Sequence, residues 1–154
     1  MNDTSPQTTW RRATAWVISI FIAIIFAFAA FPKIAHPEAF AEAVYRYHLL
    51  PDGWINIFAV YMPWSEVAIA VALLVGTRLR KGALLLTILL LVMFIVAMSI
   101  NLHRGVNIAC GCFSVENTAE SMSWLNIVRN IGLIILAILA WRWTDHRATC
   151  SAKQ

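Results

Sequence analysis

The sequence predicts an all-α integral membrane protein: a bundle of four transmembrane helices, both termini cytoplasmic, with a short outer-surface helix after the first span. Three observations lead there. Hydrophobic residues make up 60% of the 154-residue chain and charged residues only 13%. Soluble domains carry roughly 45–50% and ~25%. A chain this small cannot hide so much apolar side chain from water, which excludes a disordered chain, a nucleic-acid-binding domain and an ordinary soluble enzyme. Apolar runs near the ~20 residues that cross a bilayer core recur along the chain. The twelve Lys and Arg, against eight Asp and Glu, punctuate those runs and form no basic face of the kind nucleic acid requires. Helices satisfy their own backbone donors in lipid, and the short alternating strands of a barrel are absent. The length fits one domain, residues 1–154.

The first span is expected at 13–31, interrupted only by Thr14 and Ser19. Arg11 and Arg12 before it and Ala27-Phe28-Ala29 near its end imitate a signal peptide. The run is long for one, and Phe31-Pro32 follows, so the span is expected to be retained. In the following loop, Glu38 to His48 permits a helix of about three turns, lying on the surface or dipping into the bundle mouth. The second span, 57–76, contains Pro63, Ser65 and Glu66. The third, 82–100, is almost purely Leu, Ile, Val and Met, and the fourth, 124–141, holds Asn126, Arg129 and Asn130 in its first half.

Basic residues orient the bundle. With the N-terminus inside, inner segments hold Arg11, Arg12, Arg78, Arg80, Lys81, Arg142, Arg147 and Lys153, and outer loops hold Lys33, Arg46 and Arg104. That bias places both termini in the cytoplasm. Trp54 and Trp124 then mark the outer interface, and Trp10, Trp16, Trp141 and Trp143 the inner one.

The outer loop after the third span carries Cys110-Gly111-Cys112-Phe113. Two cysteines one residue apart can close a small disulfide ring, helped by the freedom of Gly111, in a compartment where disulfides persist. A ring so tight is strained, and strained, exposed disulfides tend to be catalytic. As a staple it would remove little chain entropy. As a metal site it would need more ligands, His103 being the nearest, and would suit a soft ion such as Cu(I); no metal is assigned. Cys150, in the cytoplasmic tail, reads as an incidental reduced thiol.

Glu66 is expected deep in the second span, where a carboxylate is costly unless paired or lining a cavity. The alternative has Pro63 starting the helix and Glu66 near water in its first turn. Asn126, Arg129 and Asn130 are spaced i, i+3, i+4 and so share a helix face, which should look into the bundle. Arg129 lies at a depth compatible with Glu66, and the two are expected to pair. Lys33, at the outer end of the first span, reads on its own as a snorkelling lysine.

The ordered set Phe31-Pro32-Lys33, Pro37, Tyr47, Leu50-Pro51, Pro63-Trp64-Ser65-Glu66, Asn101, Arg104-Gly105, Cys110-Gly111-Cys112-Phe113, Trp124 and Arg129-Asn130 resembles the MauE/DoxX family of redox-associated membrane proteins. Ser114 stands where the MauE branch carries a glycine after its Cys-Gly-Cys-Phe motif. The resemblance implies maturation of a periplasmic enzyme, thioredoxin-like partners and, through the DoxX relatives, a link to quinone.

The reading is therefore a thiol–disulfide redox protein of the bacterial inner membrane, exchanging electrons between a periplasmic thioredoxin-like partner and a membrane quinone. Cys110, Cys112, Glu66 and Arg129 are its candidate catalytic residues, and Glu66, Arg129, Asn130 and Lys33 would line the quinone site. A non-enzymatic assembly factor, or a transporter of a metal ion or small sulfur species, is the competing class.

Overall fold

The computed structural model describes residues 6–75, 77–104 and 124–145. All elements in this part are helices: α1 (Pro6–Ala35), α2 (Pro37–Arg46), α3 (Asp52–Val75), α4 (Thr77–His103) and α5 (Trp124–Asp145). Four of them contain stretches long and apolar enough to cross a membrane: Trp10–Ala35, Asp52–Val75, Leu79–His103 and Trp124–Thr144.

α1 passes almost directly into α2. The His36 amide still donates to the Pro32 carbonyl at 3.0 Å, and Pro37 occupies the first turn of α2, where its missing N–H costs nothing. Glu38 in the first turn and Arg46 in the last suit the helix dipole. His48, the one non-glycine residue described with positive φ (47°), turns the chain toward Pro51. α3 then starts at Asp52, five residues before the span expected from hydropathy, with a carboxylate again in the first turn. Pro63 lies inside α3. The alternative in which it starts the helix is therefore corrected: the polar segment before Ile57 coils into the same helix.

The four long helices form a ring. α1 packs closely on α3 and α5, α4 packs on the same two, and the diagonal helices α1 and α4 meet through long side chains. α2 leans mainly on α3 at one end of the bundle, with a lesser contact to α1. Small residues line the interior, including Ala15, Ala23 and Ala30 on α1, Ala59 and Ala70 on α3, Ala83 on α4 and Ala137 and Ala140 on α5. Such residues let backbones approach where lipid offers no hydrophobic drive between helices. Buried Ser19 and Thr87 donate to their own helices, at the Ala15 and Ala83 carbonyls. Large apolar side chains such as Phe21, Phe28, Leu86, Leu89 and Ile135 point outward, as a lipid-facing surface requires.

The interior divides into two halves. Away from α2, Ile22, Phe26, Leu73, Leu84, Leu91 and Leu133 form an apolar core. Toward α2, the buried residues include Lys33, Glu66, Asn101 and Asn130.

Candidate functional site

α1 and α3 are close enough for Lys33 and Glu66 to meet between them. The Lys33 ammonium donates to Glu66 Oε1 at 2.5 Å, with side-chain exposures of 1% and 3%. Met62, one turn before Glu66 on α3, places its Sδ 3.9 Å from the same nitrogen. The Phe40 ring from α2 and the Phe94 ring from α4 have their centroids 5.4 and 5.3 Å away, within cation–π range. Four helices thus converge on one ammonium: α1 supplies it, and α2, α3 and α4 wall it in.

This arrangement corrects two expectations. Lys33 does not snorkel. α2 and the first turns of α3 rise above it, so the end of α1 is not the end of the protein. Glu66 pairs with Lys33, and the expected Glu66–Arg129 pair is not formed. Glu66 Oε2 is buried and lacks a hydrogen-bond partner, while the Arg129 side chain is exposed. The expected polar face of α5 is split for the same geometric reason. The buried positions of α5 are Ile127, Asn130, Leu133, Ala137 and Ala140. Asn130 belongs to that stripe, Asn126 is half-buried, and Arg129 falls at its border and turns outward.

Asn130 Nδ2 is a second buried atom without a hydrogen-bond partner. Asn101 turns its amide back to the Ala97 carbonyl at 3.0 Å. Near Asn101 and Asn130, Met98 and Ile127 form a small apolar cluster joined by Phe94 and by Tyr47. Phe94 therefore touches both the ammonium and the packing between α4 and α5. Cys110 and Cys112, with the rest of the segment between Arg104 and Trp124, lie outside the described residues, as does Cys150. The two helix ends that hold the segment, at His103 and Trp124, belong to the α2 end of the bundle.

Sequence reasoning missed the ring of Phe40, Met62 and Phe94. The signal for Phe40 was present: Phe40 and Val44 are spaced i, i+4 on the short helix and both pack inward. Nothing local distinguishes Phe94 from its apolar neighbours on α4. Also missed was Arg80 at the opposite end, 2% exposed. Its guanidinium lies 3.7 Å from the Trp16 ring centroid, and its Nε donates to the Leu73 carbonyl at 3.4 Å. That carbonyl is in the last turn of α3, so Arg80 meets the negative end of the helix dipole.

The family model described as methylamine utilisation protein MauE matches residues 11–142. The methylamine utilization protein MauE of Paracoccus denitrificans is 38% identical over 124 residues, 80% of this chain and 66% of that protein. The protein of the same name from Methylorubrum extorquens is 37% identical over 126 residues, 80% of this chain and 67% of its own length. That of Methylophilus methylotrophus is 33% identical over 120 residues, 77% and 63% of the respective lengths. The chain thus spans roughly two thirds of the length of the curated relatives it matches. No solved structure matches it.

Proposed function

The chain belongs to the MauE family, and from that premise we propose that it serves methylamine utilisation as an accessory membrane protein, with Cys110 and Cys112 as its thiol–disulfide redox pair. It is a multi-pass bacterial membrane protein. In the proposed arrangement it sits in the inner membrane with both termini in the cytoplasm, which the excess of Lys and Arg on that side supports. The segment carrying the cysteines then faces the periplasm, where a thioredoxin-like protein is the exchange partner.

The exchange balances within the two cysteine pairs. A thiolate of the reduced pair attacks one sulfur of the partner's disulfide, and the partner's other sulfur leaves as a thiolate. The second cysteine then attacks its neighbour across the mixed disulfide. Cys110 and Cys112 end as a disulfide and the partner as a dithiol, two electrons and two protons having passed. The same steps run in reverse when the partner is the reductant. The single observation carrying this reading is the Cys110-Gly111-Cys112 spacing in the stretch of sequence between the end of α4 at His103 and the start of α5 at Trp124.

A membrane quinone is the proposed second electron partner. It would supply two-electron, two-proton chemistry at the membrane. Of the residues nominated to hold it, Asn130 fits, because its buried Nδ2 donor is unused and a quinone carbonyl accepts. Lys33 spends its charge on Glu66 and is enclosed by Phe40, Met62 and Phe94, so it would meet a quinone only after this packing opens. Arg129, exposed on α5, is the proposed cation that would favour the thiolate form of Cys110 or Cys112.

Alkylation of the air-purified protein, with and without prior reduction, tests the reading by mass. The expected result is two modified cysteines, Cys110 and Cys112, only after reduction. Cys112→Ser or Cys110→Ser should accumulate a mixed disulfide with the partner. Two free thiols and a stoichiometric soft metal ion in protein isolated under air would overturn the redox role. A stable disulfide that never forms a mixed disulfide would leave an assembly factor.

A further inference from the structure

The surroundings of Lys33 are those of a receptor for an ammonium ion. A carboxylate oxygen stands 2.5 Å from the nitrogen, two aromatic rings present themselves at 5.3 and 5.4 Å, and a thioether lies at 3.9 Å. Aromatic faces attract ammonium cations and build the cages that bind choline and methyl-lysine, and a carboxylate supplies the counter-charge that a primary ammonium also hydrogen-bonds. The end of the lysine side chain, a methylene bearing –NH₃⁺, is chemically a methylammonium ion on a tether. We propose that this cage is a binding site for small primary alkylammonium ions, and that Lys33 is its tethered resident, displaced when a free alkylammonium ion enters.

Three features support exchange over a fixed ion pair. First, the carboxylate has unused capacity: Glu66 Oε2 is buried without a hydrogen-bond partner. A free ammonium carries three donors and can turn to reach both oxygens, whereas the tethered one reaches Oε1. Second, the swap replaces one cation by another, so Glu66 is not left buried and alone, the state that makes breaking such pairs expensive. Third, the resident has somewhere to go. Lys33 is two residues from the end of α1, and its long stem can carry the ammonium toward the polar end of the bundle. Among the described residues α2, ten residues long and no membrane span, covers the pair on that side through Phe40, beside the first turns of α3.

The same chemistry sets the ligand class. Alkali ions want several oxygen ligands, and the cage offers one carboxylate among apolar faces. Guanidinium is planar and wide, and an anion would meet Glu66. The proposal rests on the cage and not on the cysteines, so failure of the redox reading leaves it standing.

The test uses the full chain in lipid nanodiscs with methylammonium and n-butylammonium chloride as probes and sodium and guanidinium chloride as controls. Wild-type protein should bind radiolabelled methylammonium saturably, and unlabelled n-butylammonium should displace it. Phe94→Leu, which removes one ring and keeps an apolar side chain, should weaken binding about fivefold. Lys33→Ala, which empties the cage, should bind at least tenfold more tightly than wild type and melt at a higher temperature with n-butylammonium present, not with sodium. If Lys33→Ala accumulates only when cells grow with an alkylammonium salt, that rescue is the same result. The absence of saturable binding to wild type overturns the proposal. So does an equal effect of sodium, or a Lys33→Ala protein that no alkylammonium binds or rescues.

Discussion

Lys33 and Glu66 are two charges that a membrane protein keeps away from water and lipid alike. Their value to stability lies in being together. Lys33→Met should cost about 3–5 kcal/mol, since it leaves a buried carboxylate alone. Adding Glu66→Leu should restore most of that loss, because a matched apolar pair replaces a matched ionic one. Reversible unfolding in mixed micelles measures both, and additive effects of the two changes would refute the pairing. The burial of Glu66 was legible from its place in an apolar run. Its partner was not, because a lysine at the end of a span reads as interfacial unless one knows what covers it. Arg129 misled for a related reason: i, i+3, i+4 spacing says which residues are neighbours, not which way their shared face points.

α2 decides that covering. Its inward residues Phe40 and Val44 pack with Ala59, Met62 and Phe94, while Glu42 and Arg46 form an exposed pair one turn apart that contributes little. Phe40→Ala should therefore loosen the whole helix: about 3–5 kcal/mol of packing is lost, and amides in α2 should exchange with deuterium well before those of α3. Unchanged exchange in that variant would mean that α2 is held by something else. The existence of this helix was readable from the run between Glu38 and His48. Its depth was not, since a ten-residue amphipathic segment suits a surface and a bundle mouth equally well. At the other end, the clasp of Arg80 on Trp16 and Leu73 ties α4 to α1 and α3. Arg80→Lys should weaken it by about 1–2 kcal/mol despite keeping the charge, because lysine has no planar face to stack on the indole. A stability equal to wild type would show that charge alone suffices.

For the molecule as a whole, the four spans were plain in the sequence because hydropathy over about 20 residues reports the bilayer itself. Their ends were less so: α3 begins at Asp52, within a polar turn that hydropathy discards. Orientation is tested by impermeant thiol reagents. Intact spheroplasts should label Cys110 or Cys112 after reduction, and Cys150 only once the membrane is opened; labelling of Cys150 in intact cells would invert the topology.

Pro32 in α1 and Pro63 in α3 have a mechanical consequence. Neither can donate a backbone hydrogen bond, so each helix is missing one rung beside the Lys33–Glu66 pair. The helices α4 and α5 contain no proline and keep every rung there. Bending stiffness is therefore unequal around the ring, with two rigid struts facing two jointed ones. The joints lie where the opposite charges meet, so the bond that locks the interior also locks its most compliant point, and anything that breaks it frees α1 and α3 to flex against a fixed frame.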